Sequence, residues 1–328
     1  VIIVLQFHHK GVKMKKVLVS DDLSEFGIKI FQEAEGIEVD VKSGLSPEAL
    51  KNIIGEYDAL VIRSATKVTE DLLQAAKKLK VIGRAGIGVD NVDIPAATQR
   101  KVIVMNTPMS NVITTAEHAI AMMMALTRNI PLGTATLKAG HWEKKRLQGR
   151  EVYGKHLGVL GFGKIGSIVA DRGRGLKMRV LVHDPYIEDE IIEKEGFEPV
   201  SLEELYRRSD YITVHVPKVK DTIRLLDKTA FERMKDGVMI INCARGGIVD
   251  EEALNQALTS GKVAGAALDV FETEPPGASK LFEHDRFICT PHLGASTLEA
   301  QIKVAVAVAE QIIDYLKNGK IVHAVNAP

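Results

Sequence analysis

The sequence predicts an α/β chain of two domains built on parallel sheets. Short β-branched runs alternate with amphipathic segments along nearly all of it, the pattern that builds parallel sheets flanked by helices. A long, mostly apolar helical stretch interrupts the alternation once, after which the same rhythm resumes. A length of 328 residues suffices for two domains of ordinary size.

The elements follow in order. Val1 to Lys13 reads as a tail, and the regular pattern begins at Met14 with MKKVLVSDD. KVLVS, IEVDV, ALVIR, KVIGR and VIVMN are four- to six-residue strand patterns. SPEALKNIIGE and TEDLLQAAKKL are helices between them: Ser46 before Pro47, and Thr69 before Glu70 and Asp71, are helix-start signatures. TTAEHAIAMMMALTRN is apolar nearly all round, which suits a helix buried between two domains or two subunits, with Met122 to Met124 as packing residues. Strands return at HLGVL, RVLVHD, YITVHV, VMIINC, GAALDV and RFICTP, and the final helix EAQIKVAVAVAEQIIDYLKNG stops at Gly319. The segment ADRGRGLKM places Gly173 and Gly175 where strong helix formers are expected, so that helix should end early.

Composition narrows the function. Hydrophobic content of 45% with 26% charged residues suits a water-soluble globular protein, and 43 basic residues against 43 acidic ones advertise neither nucleic acid nor a membrane surface as partner. Two cysteines, Cys243 and Cys289, do not make a disulfide scaffold, so a reducing cytoplasm is the expected compartment. The opening VIIVLQF is too short to span a bilayer and lacks the flanks of a signal peptide. No HExxH, CxxC or EF-hand spacing occurs, and no metal is expected.

The most informative stretch is HLGVLGFGKIGSIVA, with Gly161, Gly163 and Gly166 in GxGxxG spacing. Alone it could be an ordinary strand-to-helix turn. Here it follows a strand, opens a helix, and is followed twenty-three residues past Gly161 by Asp184 at the end of the next strand. That is the dinucleotide-binding pattern of a Rossmann domain: glycines admit the backbone to the pyrophosphate at a helix N-terminus, and the carboxylate accepts the ribose hydroxyls. Because a carboxylate at Asp184 would repel a 2'-phosphate, the expected cofactor is NAD. His215, with Val216 and Pro217 behind it, ends a later strand and is expected to line the same cleft.

In an open parallel sheet, reactive groups gather beyond the carboxyl ends of the strands. VMIINCA runs into Arg245, GAALDV into the acidic turn ending at Glu274, and RFICTP into His292. Arginine offers a permanently charged fork for a carboxylate, and histidine offers a proton shuttle whose tautomer a neighbouring carboxylate can fix. Each has a structural alternative: Arg245 as a turn cap, Glu274 as a solvated residue, His292 as a core histidine. Their joint placement in a sheet with a dinucleotide loop favours hydride transfer to or from a 2-hydroxy acid. His118 falls within the long helix and has no assigned role, and Cys243 reads as a small packing residue rather than a nucleophile.

The runs GFGKIG, NCARGGIVDEEAL, AGAALDVFETEPP and CTPHLGAST resemble the D-isomer-specific 2-hydroxyacid dehydrogenases, over essentially everything from Lys15 to the closing VNAP. RSATKVTEDLL, GRAGIGVDNVDIPAAT and AGHWEKK are most similar to the branch that oxidises a phosphorylated three-carbon hydroxy acid. The resemblance implies that Arg245 binds the substrate carboxylate and 2-oxo group, His292 is the acid/base, and Glu274 is its partner. On the cofactor side it implies Lys164 and Ile165 beside the glycines, the backbone of Cys243, Ala244 and Arg245, and Asp269 near the nicotinamide amide. His292, Gly294 and Ala295 complete that side, and Ile87 stands where other members often carry a polar residue. It also implies two doubly wound parallel-sheet domains: a flavodoxin-like substrate-binding lid of residues 14–108 and 297–328, into which a Rossmann domain of residues 109–296 is inserted. Homodimers built on the NAD-binding domain, through the Thr114 to Asn129 helix and the arm around Trp142, are the family habit. Many members of the branch continue past VNAP into regulatory domains, so the chain is expected to be a short form or a catalytic fragment.

A phosphate needs clustered cations, and ALVIR and KVIGR end on Arg63 and Arg84, with Lys144 on the AGHWEKK arm. Ser64, Gly86 and Asn111 are assigned to the same substrate side; the structural alternative is pairing of an arginine with Asp90. Two other functions fit less well: a glyoxylate or hydroxypyruvate reductase with the same catalytic trio, and an NAD(H)-sensing corepressor-like binding protein, against which the RSATKVT segment speaks.

Overall fold

A computed structural model describes residues 14–326, and the counts that follow are of those residues. Val1 to Lys13, read above as a tail, lie outside the described residues. The chain divides into two compact units: one runs to Asn111 and resumes at Thr297, and the other is Val112–Ser296.

The first unit contains β1 (Lys15–Val19), α1 (Glu25–Glu33), β2 (Ile37–Val41), α2 (Pro47–Ile53), β3 (Ala59–Ile62), α3 (Glu70–Ala75), β4 (Val81–Arg84), α4 (Ile94–Gln99) and β5 (Ile103–Asn106). Its strands pair in the order β2-β1-β3-β4-β5, all parallel. Strand alternation sorts the side chains. Val17 and Val19 face one way, packing with Phe31 and with Val304, Val308 and Ile312 of the last helix. Leu18 faces the other, with Leu50, Leu72 and Ala97. Ser46, Thr69 and Asp93 cap α2, α3 and α4 by accepting the backbone N–H of the third residue on.

The second unit begins with α5 (Val112–Thr127) and α6 (Ile130–Lys138). Then come β6 (His156–Leu160), α7 (Lys164–Gly175), β7 (Arg179–His183), α8 (Asp189–Lys194), β8 (Glu198–Pro199), α9 (Leu202–Arg208), β9 (Tyr211–Val214), α10 (Lys228–Arg233), β10 (Val238–Asn242), α11 (Glu251–Ser260), β11 (Val263–Leu268) and β12 (Phe287–Cys289). Its seven-stranded parallel sheet is ordered β12-β11-β10-β9-β6-β7-β8. One face is covered by α5 and α7, the other by α9, α10 and α11. The closing helix α12 (Leu298–Asn318) returns to the first unit and ends on Gly319 in the left-handed region.

One sequence expectation is corrected. The helix after the glycine loop does not end early: α7 runs for 12 residues through both Gly173 and Gly175. Packing overrides propensity there, since a Cβ at Gly173 would lie 2.6 Å from Leu157 Cδ2 on β6, so only glycine lets the helix sit that close to the sheet. The long apolar helix buries one side within its own unit. α5 lies on its own unit's sheet, burying Ala116, Ala119, Met122, Met123 and Leu126 against Val159, Met239 and Ile241.

The chain end seals an edge of the first sheet. Ala324 bridges Met105 antiparallel, Asn106 N donates to His323 O at 3.2 Å, and Val325 N to Val104 O at 2.9 Å, which covers an otherwise open edge strand. Asn326, 8% exposed, accepts from Val104 N (2.8 Å) and donates to Val102 O (2.9 Å) and Thr98 Oγ1 (3.0 Å). Asn326→Ala should therefore lower stability by about 2 kcal/mol, the range for stranding buried backbone groups. Urea unfolding would show it, and an unchanged midpoint would mean the pin contributes nothing.

Candidate active site

β6 lies between β9 and β7, so successive connections leave it toward opposite sides of the sheet and a crevice opens beyond its carboxyl end. The glycine loop sits there. Gly161 has φ +93° and passes so close to the strand next door that a Cβ would stand 2.7 Å from His215 O and 2.9 Å from Val216 Cγ1. A Cβ at Gly166 would strike Gly161 O at 1.9 Å, so α7 packs directly onto the loop. At Gly163 the same atom would meet nothing within 4 Å. Lys164 and Ile165 are the first residues of the helix that opens at this gap, where unsatisfied N–H groups and the helix dipole favour an anion.

Asp184 follows β7 and is tied to the loop: its Oδ2 accepts Phe162 N at 2.7 Å and its Oδ1 accepts Tyr186 N at 2.9 Å. His215 N donates to Leu160 O at 2.7 Å, and its Nε2 lies 2.8 Å from Thr213 Oγ1. Burial pushes its pKa down to about 3, so it is a neutral wall of the crevice. Pro217 beyond it is exposed. A glycine-lined cradle at a helix start, with a carboxylate at the end of the neighbouring strand, fits a dinucleotide.

Three further strand ends converge in the same unit. After β10, Asn242 holds the turn that carries Arg245: its Oδ1 accepts Ala244 N (3.0 Å) and its Nδ2 donates to Arg245 O (2.9 Å). The Arg245 guanidinium donates to Ala244 O at 2.7 Å. Cys243 is buried, and burial together with the nearby Asp269 charge pushes its thiol pKa up, which makes it a packing residue.

Asp269 follows β11 with no solvent exposure. Its Oδ1 accepts Leu293 N (2.7 Å) and Thr290 Oγ1 (2.5 Å), and its Oδ2 accepts Gly294 N (2.8 Å). His118 Nε2 stands 3.3 Å from Oδ1 and 3.0 Å from Thr290 Oγ1. Burial opposes the charge on Asp269, yet these hydrogen bonds overcome it and hold the pKa below the ordinary value.

After β12 the chain turns sharply. His292 has φ +54°, uncommon outside glycine, and its N–H points to Asp269 O (2.9 Å) and Thr290 O (3.0 Å). Its Nδ1 meets Glu274 Oε2 at 2.8 Å, while Glu274 Oε1 accepts Phe271 N at 3.1 Å. Burial works against the Glu274 charge, but His292 and the Phe271 N–H prevail and keep its pKa lowered. A carboxylate only accepts, so His292 Nδ1 carries a hydrogen, and in the neutral imidazole this leaves Nε2 as the acceptor. Ala295 follows Gly294, partly buried.

The other expected site residues lie in the first unit, with the exception of Lys144, exposed in the second between α6 and β6. Ile62 on β3 registers with Arg84 on β4, so Arg63 and Arg84 leave neighbouring strands at their carboxyl ends. Asp21, just after β1, clamps the Arg63 segment: it accepts Arg63 N (2.6 Å), Thr66 N (3.1 Å) and Thr66 Oγ1 (2.6 Å). From the other side Asn91 Nδ2 donates to Arg63 O (2.8 Å) and Thr66 O (2.6 Å). The Arg63 guanidinium donates to Asp22 O at 3.2 Å, and that of Arg84 to Ala85 O at 3.3 Å. Ser64 is exposed, Gly86 N donates to Arg84 O (2.9 Å), Ile87 O accepts Asn106 Nδ2 (2.6 Å), and Asn111 is buried.

Asp21, Asn91, Asn242, Thr290 and His118 have no role among the sequence expectations. Asp21 could have been found by applying the strand-end rule to β1. The contact of His118 with Asp269 and Thr290 had no local signal.

Among known proteins, residues 120–294 match the family described as D-isomer specific 2-hydroxyacid dehydrogenase, NAD binding domain. A D-3-phosphoglycerate dehydrogenase of Synechocystis sp. is 50% identical over 97% of this chain, and one of Archaeoglobus fulgidus is 50% identical over 95%. The chain spans 57% and 59% of the length of these two relatives. A solved structure from Thermus thermophilus superimposes with a TM-score of 0.88 at 32% identity, covering 95% of this chain and 100% of that one. The matched segment carries the glycine loop, Asp184, Arg245, Glu274 and His292 and amounts to more than half of the sequence. The chain belongs to the D-isomer specific 2-hydroxyacid dehydrogenases.

Proposed function

We propose that the chain catalyses NAD-dependent oxidation of D-3-phosphoglycerate to 3-phosphohydroxypyruvate, the entry to serine biosynthesis. The observation that carries this reading is the Glu274–His292 pair at 2.8 Å, in the same unit as the dinucleotide crevice. His292 Nε2, left with its lone pair by the Nδ1–Glu274 contact, takes the proton of the substrate hydroxyl as the C2 hydrogen departs with its electron pair. NAD bound at the glycine loop would supply the hydride acceptor. Glu274 holds the imidazole in one tautomer and stabilises the imidazolium that forms. Arg245, its turn set by Asn242, grips the substrate carboxylate and the developing 2-oxo group.

The substrate phosphate is assigned to Arg63 and Arg84 of the first unit, and Ser64, Gly86, Asn111 and Lys144 are the further candidates for the substrate. Residues 14–108 and 297–328 are then the substrate-binding domain and residues 109–296 the NAD-binding domain. We further propose a cytoplasmic homodimer built on the NAD-binding domain. The thiols of Cys243 and Cys289 are both unbridged, which suits a reducing compartment. Among the described residues no helix is long and apolar enough to cross a membrane.

Two outcomes test the assignment. His292→Asn should lower kcat by roughly 100-fold or more, the range for loss of a general acid/base, with NAD affinity by fluorescence titration unchanged. Near-native turnover would remove His292 from the mechanism. Arg63→Gln should cost about 1.5 to 3 kcal/mol in kcat/KM, roughly 10- to 100-fold, for 3-phosphoglycerate and much less for an unphosphorylated 2-hydroxy acid. Equal losses on both would make Arg63 structural or a carboxylate ligand.

A further inference from the structure

His118 has no place in the reaction just described, yet it touches the residue on which the catalytic histidine hangs. It lies on α5, partly buried, with Nε2 3.0 Å from Thr290 Oγ1 and 3.3 Å from Asp269 Oδ1. The hydrogen positions follow from valence. Asp269 only accepts, Thr290 has one hydroxyl hydrogen, and that hydrogen is committed to Asp269 at 2.5 Å. The Thr290 oxygen can then only accept from His118, so His118 Nε2 carries a hydrogen and is the donor to this pair. Thr290 and Leu293, which flank His292, both deliver their hydrogens to the same Oδ1 that faces His118.

We propose that His118 is a positioning residue for the acid/base histidine. By donating to Thr290 Oγ1 and Asp269 Oδ1 it fixes the Thr290–Gly294 segment and holds His292 in its left-handed conformation against Glu274. The inference rests on the dehydrogenase reading for its kinetic consequence, though not for its structural one. The need for a further support is physical. His292 occupies a backbone region that costs free energy for a residue with a Cβ, and such a conformation persists only where its surroundings over-determine it. The segment's hydrogen bonds converge on one buried carboxylate, and His118 fixes that carboxylate to a rigid helix of 16 residues.

The test compares His118→Phe, which keeps an aromatic ring but no donor, with His118→Gln, which restores an N–H near the Nε2 position. Two readouts are used: steady-state kinetics, and hydrogen exchange of the Leu293 and Gly294 amides. With His118→Phe, kcat should fall about 10-fold while KM for the hydroxy acid moves less than about 2-fold, the signature of a misplaced reacting group rather than lost binding. The two amides should exchange at least about 10-fold faster while those of the core strands are unchanged. His118→Gln should recover most of both effects, and Thr290→Val, which removes the bridging hydroxyl, should reproduce them if His118→Phe does not fold. Native kcat with native amide protection in His118→Phe, or in Thr290→Val, would overturn the proposal. If the wild-type chain oxidises no 2-hydroxy acid, the dehydrogenase reading fails, and the amide exchange still decides whether His118 holds the segment.

Discussion

A carboxylate with no exposure to solvent is tolerated only when its oxygens are filled by donors, and in the second unit the placement of His292, the proposed acid/base, depends on one such group. Asp269 ends β11, is fully buried, and gathers donors from Thr290, Leu293, Gly294 and His118. Its own backbone carbonyl takes the His292 N–H, so one residue supplies both main-chain and side-chain acceptors to the turn that presents the imidazole. Removing the carboxylate would strand several buried donors at once, each costing about 1 to 3 kcal/mol. The same charge raises the Cys243 thiol pKa further and acts against the Glu274 charge.

Both units use one construction. A parallel sheet has all its carboxyl ends on one side, so residues far apart in sequence are gathered by strand order rather than by proximity along the chain. Arg63 and Arg84 come from adjacent strands of the first sheet. Arg245, Asp269 and the turn bearing His292 come from three successive neighbours, β10, β11 and β12, of the second. In each case a short polar side chain stiffens the loop: Asp21 and Asn91 around Arg63, Asn242 beneath Arg245. Fixing these loops before substrate arrives is what lets a positioned charge act without reorganisation.

The strands were legible because each is a short β-branched run bounded by helix caps or turn residues, and the caps at Ser46 and Thr69 form the hydrogen bonds their spacing implies. β8 was not legible, since a two-residue strand, Glu198–Pro199, has no periodicity to read. The length of α7 was misjudged because propensity penalises Gly173 while the contact with Leu157 requires it, and only the folded packing shows which effect wins. Helix α5 showed its apolar surface in the sequence but not what covers it. The glycine loop could be read because three features coincide at fixed spacing. The His118 contact could not, because Thr290 lies 172 residues further along the chain and nothing local distinguishes this histidine from a packing residue.

If the crevice and its histidine serve oxidation of a phosphorylated D-2-hydroxy acid, the cofactor itself reports it. The most direct measurement is NADH formation, followed by absorbance, from D-3-phosphoglycerate, D-glycerate and D-lactate under one set of conditions. Turnover of all three with NAD, and a kcat/KM for the phosphorylated acid at least about 10-fold above the others, is the predicted result. Absence of NADH with every acid, or a preference for an unphosphorylated one, would contradict it.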